Sequence, residues 1–145
     1  MRAVTLTLFG MCVAMSTWAN ADGCRERVRD VASAFGNALT DEASLRPWLP
    51  AKGKVRLHLV RMGAEDGYFS SSQVDALLQD FLDRGAVRSF EIARIEAERD
   101  DCIAVVTSRL AVTDSDGRPS RVELRLSIHP EGERWVVREI RESRR

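Results

Sequence analysis

Residues 121–128, with the sequence RVELRLSI, carry the pattern that decides the fold. Four apolar side chains alternate with polar ones along the stretch: Val122, Leu124, Leu126 and Ile128. A period of two is typical of a β-strand with one buried face and one solvated face. The stretch therefore predicts a sheet that covers a core on one side only.

The segments on both sides of this strand repeat the alternation. It recurs over residues 104–112 and 135–140, and turn residues at 114–117 and 130–132 separate the three strands. Strands joined by short turns rich in Gly, Pro and Asp pair as antiparallel neighbours. The second half of the chain is thus predicted to be a meander.

An earlier strand carries a break in the alternation. Phe90 and Ile92 share one face, whereas Ile95 and Ala97 fall on the other. One extra residue in a strand produces such a phase slip and bends the sheet. We therefore expect a β-bulge between Ile92 and Ile95.

The first half of the chain shows helical periodicity instead. Apolar residues recur at spacings of three and four over Asp22–Thr40 and again over residues 74–82, which predicts two amphipathic helices. A short helix is predicted at 43–45, and alternation predicts a strand from Val55 to Met62. Gly36, inside the first helix, indicates close packing against another element.

The predicted order is α-α-β-α-β-β-β-β. Helices followed by a meander indicate an α+β fold, with N-terminal helices packed on a bent antiparallel sheet. Residues 22–141 are expected to form one domain, and residues 142–145 a charged tail.

Residues 1–21 have the layout of a secretory signal peptide. Arg2 supplies a positive charge, Val4–Met15 is an apolar run, and Ala19-Asn20-Ala21 is a small-x-small cleavage site. The alternatives are an uncleaved anchor, for which the apolar run is short, and a lipoprotein acylated at Cys24. We expect cleavage near Ala21 and an exported protein, periplasmic or secreted.

The net charge of the chain indicates which classes of partner are not expected. The full chain has 22 basic and 22 acidic residues, and loss of Arg2 with the signal leaves 21 and 22, a formal net charge of −1. Nucleic-acid binding requires a strong basic excess. Nucleic acid and an anionic membrane surface are therefore not expected as main partners, and no stable membrane insertion is expected after cleavage.

Two cysteines remain after cleavage, Cys24 and Cys102. An even number in an oxidising compartment favours a disulfide between them. An intermolecular bridge through Cys24, or two unpaired thiols, are the alternatives. No CxxC spacing is present, which argues against a thiol-redox enzyme.

The residues that could carry chemistry form no recognisable constellation. His58 and His129 lie on different predicted strands, and a metal site would need a third ligand. The carboxylate pairs at 65–66 and 100–101 and the Asp-Gly loop at 114–117 have the composition of turns. Ser70–Ser72 is explained by helix capping. No metal or cofactor is expected.

Several short pieces of the chain resemble a known superfamily in their order and spacing. These are Phe35-Gly36-Asn37-Ala38-Leu39, Tyr68-Phe69-Ser70 leading to Gln73 and Phe81, Ser89-Phe90, Arg121-Val122 through Leu126, and Trp135-Val136-Val137. The chain resembles the nuclear-transport-factor-2-like superfamily, whose cystatin-like α+β cone wraps a bent sheet around helices. Within it, the resemblance is to small exported bacterial domains of no assigned function. The resemblance implies the fold and a frequent tendency to form homodimers through the sheet face, and it carries over no catalytic residue.

These observations favour an exported domain that binds a small ligand or an envelope protein without catalysis. The residues expected to line a ligand pocket are Trp48, His58, Tyr68 and Trp135. One alternative is an isomerase- or dehydratase-like enzyme with a polar group inside the cone, which predicts an apolar cavity of ~300 Å³ or more around a buried ionisable residue. Another is an accessory protein of an envelope assembly, which predicts an exposed apolar patch.

Overall fold

Helices come first and the strand meander last, as predicted. The computed structural model describes residues 18–59, 66–84, 87–98, 101–113 and 116–143. Its elements are α1 (Trp18–Thr40), a 3₁₀ turn (Arg46–Trp48), β1 (Lys54–His58), β2 (Gly67–Ser70), α2 (Ser71–Arg84), β3 (Val87–Ala97), β4 (Ala104–Thr113), β5 (Pro119–Glu131) and β6 (Arg134–Glu142). The α+β class is confirmed.

Six strands form one sheet in the order β2-β1-β6-β5-β4-β3. The meander β3–β6 is antiparallel throughout, as is the β1–β2 pair. The β1–β6 pair is parallel, which makes the sheet mixed and differs from the expected antiparallel sheet. Antiparallel hairpins can be inferred from short turns, whereas β1 and β6 are separated in the sequence by α2 and three further strands of the meander, so that no local turn signals their pairing.

The predicted bulge is confirmed on β3. Ile92 lies opposite Ser108 and Arg94 lies opposite Thr107, so that Ala93 is the extra residue of the strand. The slip returns Ile95 to the same side of the sheet as Phe90. A bulge bends its strand, and the bend keeps the apolar residues of β3 against α1.

The core lies between the helices and one face of the sheet. The largest side chains that are fully buried there are Phe35, Leu45, Leu49, Leu57, Leu59, Leu82, Leu110, Leu124, Leu126, Ile128 and Ile140. In the described ranges two polar side chains are buried, and one of them, Ser108, donates its hydroxyl to the carbonyl of Leu124 at 3.2 Å. The other, Glu142, lies at the end of β6. Apart from these two, the buried side chains of the described sheet are apolar.

Several elements differ from the predicted ones. α1 begins at Trp18, four residues before the predicted start at Asp22, and β1 ends at His58, before Leu59. The short helix is a 3₁₀ turn at Arg46–Trp48, since Glu42 has a left-handed φ of 55° after α1 and Pro47 follows. β2 was not predicted, because its four residues are too few to show a period. β6 extends to Glu142, and the backbone N–H of Ser143 donates to Glu123, which brings part of the expected tail into the sheet.

Other predictions fall wholly or partly outside the described residues. These concern residues 1–17 of the signal peptide, most of the turn at 63–67, the end of the predicted strand at 60–62, and Glu65, Gly85, Asp100 and Asp114. Among the described helices, none combines the length and hydropathy needed to cross a bilayer.

The disulfide between Cys24 and Cys102 is present within one chain, with the two Cα atoms 5.8 Å apart. This confirms the predicted intramolecular pairing. Cys24 lies in α1, and Cys102 lies in the connection between β3 and β4 with a left-handed φ of 53°. The bridge thereby ties the beginning of α1 to the end of β3.

Candidate functional site

A cleft on the outer face of the sheet, opposite the helices, is the strongest candidate site. It encloses about 380 Å³, within the range of small-ligand pockets. Residues from β1, β5 and β6 line it, together with Asp66 just before β2: Arg56, His58, Asp66, Arg125, Arg141, Glu142 and Ser143. We call it the outer cleft.

Strand register builds the centre of the outer cleft. Alternation turns Leu57 into the core and places Arg56 and His58 on the opposite face of β1. His58 lies beside Arg141 in the parallel β1–β6 pair, and Arg141 lies directly opposite Arg125 in the antiparallel β5–β6 pair. Three basic side chains therefore form one row across three strands.

The two arginines of this row are only partly offset by carboxylates. Arg141 pairs with Glu139 at 3.0 Å, and Arg125 approaches Glu96 at 4.0 Å. Like charges directly opposite each other destabilise a sheet. In addition, the Nε atom of Arg141 is buried and has no hydrogen-bond partner among the described residues, which costs about 1–3 kcal/mol.

His58 is positioned by a carboxylate. Its Nδ1 atom lies 3.1 Å from the Oδ2 atom of Asp66. A carboxylate on one ring nitrogen fixes the orientation of the imidazole and leaves Nε2 for a ligand.

Tyr68 stands at the rim of the same face. It is 65% exposed, and the guanidinium carbon of Arg56 lies 5.9 Å from the centre of its ring. The β1–β2 register places Arg56 directly opposite Tyr68. Two of the four predicted pocket residues, His58 and Tyr68, are therefore on one face of neighbouring strands.

The other two predicted pocket residues lie elsewhere. Trp48, in the 3₁₀ turn, and Trp135, at the start of β6, are partly buried against the core. Trp135 and Arg141 are separated by six steps along β6, which corresponds to ~20 Å of strand. Arg134 ties the turn to β6, since its guanidinium donates to the carbonyls of Pro47 at 3.0 Å and Leu49 at 3.1 Å. The four predicted residues thus do not line one pocket.

Arg125 and Arg141 are cleft residues that the sequence did not predict. Arg125 and Arg141 occupy the polar phase of their strands, where an arginine has the same pattern as any solvated side chain. Their proximity depends on the β5–β6 register, and that of His58 depends on the parallel β1–β6 pair. The alternation of apolar residues identified the face but could not identify the neighbours across it.

The chemistry available in the outer cleft is anion binding. Guanidinium groups present N–H donors in a planar fork that matches carboxylate and phosphate oxygens. In the part of the chain that the structure describes, no three His, Cys, Asp or Glu side chains are grouped as metal ligands.

The fold was compared with known proteins. No protein-family model matches the chain, and no curated protein matches its sequence. Solved structures do match. A designed nuclear-transport-factor-2-like protein is 13% identical, with a TM-score of 0.62 over 80% of this chain and 96% of its own.

Two natural proteins are also similar in structure. A DUF4783 family protein from Bacteroides ovatus is 20% identical, with a TM-score of 0.57 over 77% of this chain and 89% of its own. A hypothetical protein from Catenulispora acidiphila, described as having a ketosteroid isomerase-like fold and solved with trimethylamine, is 13% identical, with a TM-score of 0.60 over 79% and 85%. At these identities the likeness concerns the fold alone. The chain therefore has a cystatin-like, nuclear-transport-factor-2-like α+β fold.

Proposed function

We propose that this protein is an exported binding domain that takes up a small organic anion, a carboxylate or phosphate ester, in the outer cleft. The observation that carries the proposal is the Arg125–Arg141 pair, placed directly opposite each other across β5 and β6, with the Nε atom of Arg141 buried and unbonded among the described residues. An anion between the two guanidinium groups would offset the repulsion between their like charges.

The dimensions of the outer cleft support a small ligand. A volume of about 380 Å³ suits a molecule of metabolite size, and the cleft opens to solvent on the outer face. His58, oriented by Asp66, and Arg56 provide further polar contacts on the β1 side. The exposed ring of Tyr68, beside Arg56, offers an apolar surface next to the outer cleft.

Two features support export. Residues 1–21 have the layout of a signal peptide, and the Cys24–Cys102 disulfide is typical of proteins that fold in an oxidising compartment. Mass spectrometry of the protein from the exported fraction is expected to show a chain that begins at Asp22. A chain that begins at Met1 would contradict export by cleavage.

Calorimetric titration tests the ligand class. Citrate, succinate and phenyl phosphate serve as anionic probes, and glycerol and choline as uncharged and cationic controls. Saturable binding is expected for at least one anion and for neither control, with affinity falling as salt rises.

Matched variants locate the binding. Arg125→Gln and Arg141→Gln should each weaken the bound anion about tenfold or more, since each removes charge-assisted hydrogen bonds. Arg121→Gln removes the same charge from the same face of β5, four residues away and outside the outer cleft, and should leave affinity unchanged. Equal losses of affinity in all three variants would contradict a defined binding site in the outer cleft. A homodimer whose interface covers Arg125 and Arg141 would also contradict it.

A further inference from the structure

The groove between α1 and the edge strand β3 is a second surface with a defined chemistry. It encloses about 660 Å³ and is separate from the outer cleft. Its walls are Arg25, Arg29, Ser33 and Asn37 on α1, and Phe90–Ile95 on β3. We call it the edge groove.

The α1 wall of the edge groove is a row of polar side chains that runs along one side of the helix. Its four residues are spaced by four along the helix, so that they lie on one face one turn apart. The row extends for ~18 Å, because each helical residue rises ~1.5 Å. Six residues of an extended strand span ~20 Å, so the two walls have matching lengths.

The β3 wall is a strand edge with one neighbour only. Among the described strands β3 is the last of the sheet, and it pairs there with β4 alone. The carbonyl of Ile95 faces the edge groove, because it accepts a hydrogen bond from the Nη2 atom of Arg25 at 3.3 Å. An unpaired strand edge is a template for the addition of another strand.

The charge of the edge groove indicates which kind of peptide strand would bind there. Its lining contains three arginines and one acidic residue, Glu91. Arg94 is already paired with Glu96 at 2.8 Å, whereas Arg29 has no ion pair or side-chain hydrogen bond among the described residues. Arg25 and Arg29 are therefore the cations that a strand lying in the edge groove would meet.

We infer that the edge groove binds an acidic segment of a partner protein, which adds to β3 as an extra strand. The backbone of the segment pairs with the outer edge of β3 along residues 90–94, beside the Ile95 carbonyl that Arg25 already occupies. Its carboxylates contact the guanidinium groups of Arg25 and Arg29, and Ser33 and Asn37 provide polar contacts farther along the helix. This inference does not depend on the proposed ligand of the outer cleft.

Fluorescence anisotropy at low salt tests the inference with one probe, a capped heptapeptide in which valine and glutamate alternate, labelled at one end. Saturable binding is expected, and a lysine-for-glutamate version of the peptide should bind at least tenfold more weakly. A version methylated at alternate backbone nitrogens on the strand-pairing side should also lose binding, since it cannot form the ladder. A methylated peptide that binds as well as the parent would overturn strand addition.

Variants on α1 distinguish binding in the edge groove from a non-specific electrostatic attraction between the peptide and the protein. Arg29→Gln should weaken binding about tenfold, as expected for the loss of a charge-assisted contact. Arg27→Gln removes the same charge from an exposed position of α1 outside the edge groove and should have no effect. Equal losses in both variants would overturn the inference.

Hydrogen exchange locates the added strand on β3. Those amides of residues 90–95 that point away from β4 should be protected when the glutamate peptide is bound and should remain unchanged with the lysine peptide. If the free protein is instead a dimer whose dissociation deprotects these amides, the edge is occupied by a second copy of the chain and the inference is wrong.

Discussion

The ring of Phe90 lies in the space that a Cβ atom on Gly36 would occupy. The two residues join α1 to β3 at a point where the missing side chain of Gly36 lets helix and strand approach closely. Gly36 is buried in the C-terminal part of α1, still inside the helix, where glycine costs about 1 kcal/mol relative to alanine. The close approach explains why glycine stands there.

Gly36→Ala is expected to destabilise the protein by about 1 kcal/mol, because the cost of overpacking, ~1–3 kcal/mol, exceeds the gain in helix propensity. Urea unfolding measures the change. In the Phe90→Leu background the same substitution should become neutral or stabilising, since the shorter side chain leaves room. Equal effects of Gly36→Ala in both backgrounds would show that the ring is not the cause.

Reduction of the Cys24–Cys102 bridge is expected to lower the free energy of unfolding by ~2–4 kcal/mol. The bridge joins residues 78 positions apart, and the chain-entropy model gives ~4.5 kcal/mol as an upper figure for such a loop. Urea unfolding with and without reductant measures the loss. The double variant Cys24→Ser/Cys102→Ser should have the same free energy of unfolding as the reduced protein, with or without reductant. If reductant lowers the stability of that variant as well, the loss does not come from the disulfide.

The Ser44–Leu45 segment is expected to depend on Asp75 of α2. The carboxylate of Asp75 accepts from the backbone N–H of Leu45 at 2.8 Å and from the hydroxyl of Ser44 at 3.0 Å. Asp75→Ala leaves the N–H of a buried residue without its partner, and a loss of ~1–2 kcal/mol in thermal or urea unfolding should follow. Asp83→Ala, at an exposed position of the same helix, serves as the control, and an equal loss there would contradict the role of these bonds.

His129 is expected to make stability depend on pH. Burial, and next the nearby positive charge of Arg138, lower the pKa of His129 from its ordinary value of 6.5, although Glu139 acts in the opposite direction. Below pH 6.5 the unfolded chain therefore binds the proton more readily than the folded protein does. Stability should fall as the pH decreases through 6.5 and level off below the folded pKa.

Urea unfolding across pH 5 to 8 measures this dependence, and NMR titration of the ring protons reports the folded pKa of His129 directly. His129→Asn should remove its share of the slope. A folded pKa at or above 6.5 would contradict the effect of burial, and so would an unchanged slope in the variant.

The local elements were predictable from the sequence wherever a pattern was long enough. β5 follows from the alternation of Val122 to Ile128, and the phase slip between Ile92 and Ile95 predicts the bulge that the structure shows. Ser70 was predicted as a helix cap. Its hydroxyl accepts from the N–H of Gln73 at 3.3 Å, while the side chain of Gln73 accepts from the N–H of Ser70 at 2.9 Å.

The candidate sites were less predictable, because each depends on residues brought together across strands or elements. His58 and Tyr68 were selected by residue type and lie on one face of the sheet, whereas Trp48 and Trp135 pack against the core at the other end of β6. The row of polar side chains on α1 is visible in the sequence as a spacing of four, but β3 gives it an opposite wall only in the folded protein.

The sequence by itself determined the class of fold, the meander and the bulge, because these depend on periodicity, and it favoured the Cys24–Cys102 disulfide that the structure then showed. Only the tertiary structure decided that β1 pairs in parallel with β6 and that Arg141 meets both His58 and Arg125. The physical reason lies in the range of the interactions. Alternation along one strand records which face is buried, while the register between strands distant in sequence is set by the packing of the whole core.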